Sequence, residues 1–402
     1  IRNIAIILVF LYNCHRIEGK MKIIFFIAAF AIFYAMIGYP FTLLILEKIL
    51  RRKNDKDLSY KPFVSVIISA YNEEKVIEKK LENIIETKYP NYEVIVANDA
   101  SNDMTVPLVN EFIKNHPDKN IRLNTVKNHL GKTNAQDEAV DVANGEIIVF
   151  SDANSMFKND AIDELISYFT DENIEYVCGS LIYSKDDDIA SVVAENSYWD
   201  IELLMRKIES EISTIAAGNG AIYAVRKKDY RHYDLVSSHD YEMPLAAGLN
   251  HKRALYNPDA IAVEKAGATT KDEFKRKVRM QRRILTNLFT NLRRLNIFNY
   301  GWFSFFHFNH KTLRFLQAFN HIMLFISNLA LINHGLFYRV VFIGQVIFFT
   351  LAAIGKFSES KTKIFYFPRY YTMMMLAQVK GAINEASGKS KPTWEKAETT
   401  RI

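Results

Sequence analysis

The stretch IIVFSDAN, residues 147–154, is an apolar run that ends on a carboxylate and an amide. Ile147 to Phe150 have high strand propensity, and Asp152 and Asn154 follow directly. A buried strand with such an ending carries polar side chains to the edge of a sheet, where ligands bind in α/β proteins. The stretch therefore predicts a buried strand with a site at its carboxyl end.

The segments before this strand alternate between strand and helix patterns. The predicted strands are residues 63–70, 92–99, 121–127 and 145–154, and the predicted helices are 73–87, 103–116 and 132–144. Strands separated by helices of this length are typical of right-handed crossovers between parallel strands. We therefore predict an α/β fold of the Rossmann-like type with a mostly parallel sheet.

Three of the predicted strands end in polar residues that should meet at one edge of the sheet. These endings are residues 70–73, 98–101 and 152–154. A single ending could be a helix N-cap, but three together favour a binding site. A carboxylate there can hold a divalent cation that bridges phosphate oxygens. Neither GxGxxG nor GxxxxGK[ST] occurs in the sequence, so we expect a metal ion and basic side chains to bind a diphosphate leaving group.

Composition narrows the class of protein. The chain has 402 residues, of which 49% are hydrophobic and 24% charged, and its formal net charge is +6. The two cysteines, Cys14 and Cys178, argue against a disulfide framework and fit a reducing compartment. The mildly basic charge is compatible with an anionic substrate or a membrane surface. We expect no nucleic-acid partner.

The N-terminal part of the chain is strongly apolar. A long run within residues 22–53 has no charged side chain, and about 20 apolar residues suffice to cross a bilayer. We therefore predict a transmembrane helix there, with a buried core helix as the less favoured alternative. The basic residues at 48–53 place the following segment in the cytoplasm. We interpret residues 1–21 as a possible non-native extension, with Met21 as the suspected start.

The C-terminal part is apolar again. The regions predicted after the first span are a cytoplasmic catalytic domain at 54–284, interfacial helices at 285–312, a C-terminal membrane region at 313–384 and a polar tail at 385–402. Within the membrane region we predict spans at 313–332 and 336–355, while 364–383 is either interfacial or a third span. We therefore expect an integral protein of the plasma (inner) membrane.

Four motifs at the predicted sheet edge carry a resemblance to a known family. SVIISAYNEE (65–74) resembles the family's opening strand and its turn, and VANDASNDMT (96–105) resembles its D-G-S-x-D-x-T motif. HLGKTNAQDEAV (129–140) resembles its G-K-x-x-A-L-N motif, and SDANSMF (151–157) stands where the family has a D-x-D motif. Together they resemble the motifs of membrane-bound family 2 glycosyltransferases with the GT-A fold. This group includes bacterial poly-N-acetylglucosamine, hyaluronan and cellulose synthases.

The resemblance implies a site for a UDP-sugar donor. The implied nucleotide-sugar-binding residues are Ala70, Tyr71, Glu73, Asp99, Lys132, Asp152, Arg279 and Arg282. Asp152 would bind the diphosphate and a Mg or Mn ion, and Asn154 would be the second metal ligand in place of an aspartate. Asp137 stands where the family has an asparagine.

Two further segments resemble the acceptor side of the family's site. AAGNGAIYAVRK (216–227) resembles its acceptor-side strand, and SSHDYEMPLAAGL (237–249) resembles the segment with the catalytic carboxylate. The resemblance implies Asp240 as the base that takes the acceptor proton in an inverting transfer. The implied acceptor-side residues are Gly218, Asn219, Gly220 and His239. His239 stands where an acid is common, and a solvated turn is the alternative interpretation of this residue.

A basic run and the tail complete the resemblance. In KRKVRMQRRIL (275–285), Arg279 and Arg282 fit the first and fourth positions of [QR]-x-x-R-W. Arg283 replaces the tryptophan, whose ring packs on the acceptor sugar in processive relatives, so processivity stays open. Part of the run could instead face lipid headgroups. KPTWEKAETTR (391–401) weakly resembles a cytoplasmic gating segment, with a polar tail as the alternative.

The resemblance implies a hexosyltransferase-type enzyme that adds a sugar to a saccharide or lipid-linked acceptor at the membrane, in polysaccharide synthesis. Two alternatives stay open: a polyprenyl-phosphate glycosyltransferase, and an inactive nucleotide-sugar-binding subunit of a synthase complex. The expected partners are the UDP-sugar, the acceptor, membrane lipid and, in the last case, a partner subunit. Donor sugar, acceptor and linkage depend on a few hydrogen bonds in the pocket, and the motifs leave them open.

Overall fold

An eight-stranded mixed sheet forms the centre of the chain in the computed structural model, which describes residues 2–183, 190–265, 270–358 and 362–393. Its strands are β1 (Val64–Ala70), β2 (Tyr92–Asn98), β3 (Ile121–Thr125), β4 (Ile147–Asp152), β5 (Met156–Phe157), β6 (Ile174–Tyr183), β7 (Ile222–Arg226) and β8 (Arg253–Glu264). The strand order is β3-β2-β1-β4-β7-β6-β8-β5. Most of the predicted gating segment or polar tail, residues 394–402, lies outside the described residues.

The strands β1 to β4 form the parallel half of the sheet. β1 pairs with β2 and β4, and β2 pairs with β3, all in parallel. The register sets Ala70 beside Asn98 and Ser69 beside Asp152, so the three predicted polar endings lie at one edge. Four of the seven pairings between described strands are parallel. The prediction of an α/β fold with a mostly parallel sheet is confirmed.

β7 runs antiparallel to its neighbours β4 and β6. Ser151 near the end of β4 lies opposite Ile222, the first residue of β7. Because an antiparallel strand begins where its neighbour ends, residues 218–221 enter the sheet beside the carboxyl end of β4. The topology thus brings a distant part of the chain to the predicted site.

Helices cover both faces of the sheet. The helices that precede it or pack around it are α1 (Arg2–Phe33), α2 (Tyr39–Leu50), α3 (Ile77–Ile85), α4 (Thr105–Asn115), α5 (Lys132–Val142), α6 (Ala161–Ile166), α7 (Ala190–Ile212), α8 (His239–Leu249) and α9 (Thr270–Met280). On β1, Val66 and Ile68 belong to one apolar core, whereas Ile67 belongs to the core on the other face. Strands buried on both faces have continuous apolar sequences, which explains the uninterrupted run in β4.

The N-terminal helices form one long apolar segment. A π-helical turn, Tyr34–Gly38, joins α1 to α2, and Pro40, the second residue of α2, has no backbone N–H to donate. Met21 lies within α1, so no change of secondary structure marks that position. Among the described residues, two helical segments are long and apolar enough to span a membrane, Ile17–Leu50 and Leu336–Lys356.

The C-terminal part is helical. Its helices are α10 (Ile284–Phe289), α11 (Ile297–Tyr300), α12 (Trp302–Phe306), α13 (Leu313–Phe315), α14 (Gln317–Leu331), α15 (Leu336–Ser358) and α16 (Lys363–Ala386). The span predicted at 313–332 corresponds to α14, whose 15 residues are fewer than the roughly 20 that cross a bilayer. Residues 364–383 lie within the 24-residue helix α16, which contains Pro368. The number of C-terminal spans stays a prediction.

Candidate active site

The turns after β1 and β2 interlock at the sheet edge. The Asn72 amide donates to Ser101 Oγ at 2.9 Å, and the Asn102 amide donates to Asn72 Oδ1 at 2.8 Å. Asn72 has φ 54°, a left-handed conformation that asparagine adopts more readily than most residues. The Glu73 amide donates to Thr105 Oγ1 at 2.7 Å. These bonds fix residues 70–73, the first predicted part of the donor site, against the start of α4.

Asp99, at the end of β2, is buried beneath the loop that leads into α5. Its carboxylate accepts the Leu130 amide at 3.1 Å and the Gly131 amide at 2.9 Å. His129 Nδ1 lies 2.8 Å from the same carboxylate. Burial raises the pKa of Asp99, and these donors oppose the rise. Asp99 therefore shapes the loop, and its direct contact with a nucleotide stays a prediction.

A stacked pair of rings stands beside Asp99. Tyr71 and His129 lie with their ring centroids 3.8 Å apart and their planes 12° from parallel. Tyr71 was predicted at this site, whereas His129 was missed. The available signal for His129 was its place two residues before the glycine and lysine of the G-K motif.

Lys132 connects the two sides of the site. Its ammonium group forms a close ion pair with Asp152 and donates to the Gly220 carbonyl at 3.0 Å. The Asp152 side chain is 32% exposed, so a ligand can reach it. Three residues predicted from separate motifs therefore meet at one point, where β4 ends and the segment before β7 enters.

The metal ligands predicted at Asp152 and Asn154 fit a cation that arrives with a diphosphate. The described residues contain no group of three or more His, Cys, Asp or Glu side chains that could hold a metal ion. A magnesium ion, however, is commonly bound by one or two protein groups together with substrate phosphates. One carboxylate and one amide oxygen meet that need, provided that Lys132 releases Asp152.

A buried lysine supports the segment after Asp152. Lys80, on the inner face of α3, is fully buried. Its ammonium group donates to the Ser155 carbonyl and lies 3.9 Å from the centroid of the Phe157 ring. Burial lowers the pKa of Lys80 to about 7, and the charges of Asp152 and Glu264 oppose this shift. Sequence reasoning missed Lys80, although it occupies an apolar position of the helix beside Leu81 and Ile84.

Asp240 lies in the first turn of α8, next to the segment that enters β7. The Gly218 amide donates to the Asp240 carbonyl at 2.6 Å, and Ser238 Oγ donates to its carboxylate. A Cβ atom at Gly220 would lie 3.6 Å from Asp240 Cγ. Asp240 is only partly buried. The predicted base and the predicted acceptor-side segment are therefore neighbours.

His239 does not belong to the acceptor side, and that prediction is wrong. The side chain is 2% exposed. Its Nε2 lies 3.3 Å from Asp137 Oδ1, and its Nδ1 lies 3.3 Å from the Tyr223 hydroxyl. Successive residues of a helix point about 100° apart, so His239 faces the interior when Asp240 faces the cleft. The solvated-turn interpretation is excluded for the same reason.

The C-terminal segment lies over the site and contacts Arg282. The Arg282 guanidinium donates to the Ser237 carbonyl at 3.0 Å and to the Pro392 carbonyl at 3.1 Å. Burial lowers the pKa of Arg282, and the charge of Asp240 opposes this shift. Arg283, by contrast, forms an ion pair with Asp234 at 3.2 Å. Arg279 lies in the last turn of α9, and its contact with a donor stays a prediction.

Comparison with known proteins identifies the domain that contains most of the site. The model of glycosyl transferase family 2 matches residues 65–233. An uncharacterized glycosyltransferase from Haemophilus influenzae is 29% identical over 184 residues, which cover 45% of this chain and 56% of that protein. A poly-beta-1,6-N-acetyl-D-glucosamine synthase from Staphylococcus epidermidis is 26% identical over 175 residues, 42% of each protein. The chain thus spans about half the length of the curated relatives it matches.

A solved structure shares the fold over almost the whole chain. The mannosyltransferase PcManGT from Pyrobaculum calidifontis, in complex with GDP-Man and Mn2+, has a TM-score of 0.71 and 21% identity. The likeness covers 92% of this chain and 99% of that one. Residues 65–233 therefore form a glycosyl transferase family 2 domain, and the chain has a GT-A fold.

Proposed function

We propose that the protein transfers a sugar, with inversion, from a UDP-sugar to a saccharide or lipid-linked acceptor at a membrane. The observation that carries the proposal is the position of Lys132, which contacts both Asp152 and the Gly220 carbonyl. We name the two sides of this cleft the donor rim (residues 70–73, 99–101, 131–132 and 152–154) and the acceptor wall (residues 218–220 and Asp240). A donor and an acceptor bound to the two sides would meet at Lys132.

The donor rim suits a nucleotide diphosphate. Lys132 and Arg282 are cations that can neutralise the diphosphate as it leaves, and Asp152 with Asn154 can hold a Mg or Mn ion. When bound, that ion supplies further charge neutralisation to the leaving group. The stacked pair of Tyr71 and His129 offers an aromatic surface for the base. The motif resemblance implies UDP, and the GDP-Man named for the fold neighbour makes a GDP-sugar the competing donor.

The acceptor wall suits general base catalysis. The Asp240 carboxylate would take the proton of an acceptor hydroxyl while the hydroxyl oxygen bonds to the anomeric carbon. The bond from that carbon to the diphosphate oxygen breaks on the opposite face, and the electron pair leaves with the diphosphate. Asp240 lies in the first turn of α8, where the partial positive charge of a helix N-terminus attracts negative charge.

The apolar helices support a membrane location, which stays part of the proposal. We place the catalytic domain on the cytoplasmic side of the plasma (inner) membrane because basic residues follow the first apolar segment. A Cys14→Ser chain with a cysteine at Ser59, an exposed position, tests this topology. The new thiol should resist a membrane-impermeant reagent in intact cells and react after lysis. Labelling in intact cells would contradict it.

Purified protein in lipid nanodiscs, supplied with a panel of UDP-sugars and GDP-Man, tests the activity. We expect release of UDP, with turnover that requires Mg or Mn and stops in excess EDTA. A radiolabelled donor then distinguishes an insoluble polymer from a lipid that organic solvent extracts. Nucleotide binding without turnover under all these conditions would instead favour an inactive binding subunit.

A further inference from the structure

A buried polar cluster lies directly behind Asp240. It consists of Asp137 from α5, Tyr223 from β7, Tyr230, and His239 from α8, and we call it the His239 cluster. Asp137 is 6% exposed and His239 4%. Neither side chain opens into the cleft, so direct binding of a substrate does not explain their chemistry. Buried polar groups that are fully bonded specify one local arrangement.

The hydrogen bonds of the cluster are mutually consistent. The Tyr230 hydroxyl donates to Asp137 Oδ1 at 2.5 Å, and His239 Nε2 lies 3.3 Å from the same oxygen. In the tautomer with its proton on Nε2, the ring can donate to Asp137, with the Tyr230 hydroxyl also 3.3 Å from Nε2, and can accept from the Tyr223 hydroxyl at Nδ1. Both ring nitrogens then have a partner, and the ring has one preferred orientation.

The cluster is joined to both parts of the acceptor wall. His239 is covalently next to Asp240 in the first turn of α8. The Tyr223 ring stacks on Tyr176, with centroids 5.4 Å apart, and the Tyr176 hydroxyl accepts the Asn219 amide at 3.3 Å. The His239 ring thus belongs to the first turn of α8, and the aromatic layer that it contacts also contacts the segment before β7.

Two departures from the family motifs meet at this one contact. Asp137 stands where the resemblance has an asparagine, and His239 stands where it has an acid. The carboxylate has in effect moved from one side of the contact to the other. Aspartate at position 137 opposite an acid at 239 would place two carboxylates at the contact, and asparagine at 137 opposite His239 would place none. The two changes together keep one carboxylate there.

We propose that Asp137 and His239 act as a pair of positioning residues that hold Asp240 in place beside residues 218–220. This inference rests on the proposed function, because it concerns the base of the same reaction. The pair acts through the orientation of the first turn of α8. Since a misplacement of about 1 Å can cost about 10²-fold in rate, loss of the contact should lower turnover without disturbing the donor rim.

The test is a reciprocal exchange across the contact. Asp137→Asn and His239→Glu are each expected to lower kcat by about 10- to 100-fold, with the KM for the nucleotide sugar changed far less. In the double variant the amide introduced on α5 can donate to the carboxylate introduced on α8, so this variant is expected to recover most of the lost kcat. Active sites are counted by UDP titration, so a lower yield of folded protein does not imitate the effect.

Asp141→Asn is the matched control. Asp141 lies one turn further along α5, its side chain is 61% exposed, and it pairs with His232 at 3.2 Å. We expect parent turnover from this variant. If either single variant fails to fold, Tyr230→Phe tests the same cluster, because it keeps the ring and removes the hydroxyl that contacts both Asp137 and His239.

The outcomes separate this inference from the proposed function. Losses of kcat that simply multiply in the double variant, or equal falls in donor affinity and kcat, would overturn the inference. Unchanged kcat in Asp137→Asn or in Tyr230→Phe would overturn it as well, while parent turnover keeps the proposed function intact. Absence of transfer by the parent protein would overturn the proposed function, and the inference with it.

Discussion

The donor rim and the acceptor wall are built in different ways. On the donor rim the carboxylates already have partners, because Asp152 pairs with Lys132 and Asp99 accepts backbone amides of the loop at 129–131. On the acceptor wall Asp240 is held by a backbone hydrogen bond from Gly218 and by packing behind it. Under the proposed function, a donor would therefore exchange existing contacts for its own, whereas an acceptor would meet a carboxylate that is already placed.

This difference predicts separate kinetic effects on the two sides. Substitutions on the acceptor wall should lower the rate and leave nucleotide affinity intact, because a base acts mainly in the transition state. Substitutions on the donor rim should lower both. The four experiments that follow test this division and the supports beneath it.

Asp240→Asn is expected to have the largest effect. The variant keeps the shape and hydrogen-bonding capacity of the side chain but cannot take up the acceptor proton efficiently. Because general base catalysis contributes about 10²–10⁴-fold, transfer should fall by that range while UDP affinity stays within a few-fold of the parent. Single-turnover kinetics and UDP titration measure the two quantities. Near-parent transfer would exclude Asp240 as the base, and a collapse of UDP binding would place it on the donor rim.

Asp152→Ala, on the donor rim, should have the second largest effect on turnover. Removal of the carboxylate takes away the main contact for the cation and frees Lys132, so turnover should fall by about 10²–10³-fold. The metal-dependent part of UDP affinity should be lost with it. Calorimetry with and without Mg checks this, and Asp118→Ala, at an exposed carboxylate, is the control. Unchanged metal-dependent affinity would contradict a role of Asp152 in the site.

Lys80→Met tests the support beneath the donor rim through the pH dependence of stability. The pKa of Lys80 is about 7 in the folded protein and about 10.4 in an unfolded chain. Between these values the unfolded state binds more protons, so the free energy of unfolding should rise with pH. Lys80→Met should remove that part of the rise, and it should increase the free energy of unfolding by up to a few kcal/mol near pH 7.

Thermal unfolding at pH 7, 8 and 9 measures this effect as a difference between the parent and the variant. Lys79→Met, at the exposed neighbouring lysine of α3, should keep the parent's pH dependence. Parallel pH profiles for the parent and Lys80→Met would show that Lys80 is not held in a desolvated state.

Gly131→Ala should have the smallest effect. Gly131 has φ 103° and ψ 169°, a region that is essentially restricted to glycine, so alanine should cost about 1–3 kcal/mol. A Cβ atom there would also lie 2.7 Å from the Pro392 carbonyl, and the C-terminal segment should therefore dock less tightly.

A lower unfolding temperature and faster tryptic cleavage after Lys389 would confirm both consequences. Gly388 has a positive φ of 67° but open space around it. Gly388→Ala is therefore the control for backbone strain alone. Cleavage at the parent rate in Gly131→Ala would contradict the contact between this loop and the C-terminal segment.

Sequence reasoning placed the donor rim because its information is local. The strands are short apolar runs, the polar residues follow them directly, and parallel strands bring their carboxyl ends to one edge. Asp152 and the 70–73 turn could therefore be located before the fold was known. The same reasoning missed Lys80 and His129, because burial and ring stacking depend on neighbours that are distant in the sequence.

The arrangement of the acceptor wall could not be predicted fully from the sequence. The resemblance selected the segment around Asp240, but it assigned His239 to the same surface. Only the structure shows that His239 points inward to Asp137, because the start of α8 sets the direction of each side chain and α5 supplies the partner. The amino-acid order thus determined the strands, their polar endings and the apolar helices. The antiparallel entry of β7 and the packing behind α8 decided which polar groups meet, since these contacts join residues that no local pattern connects.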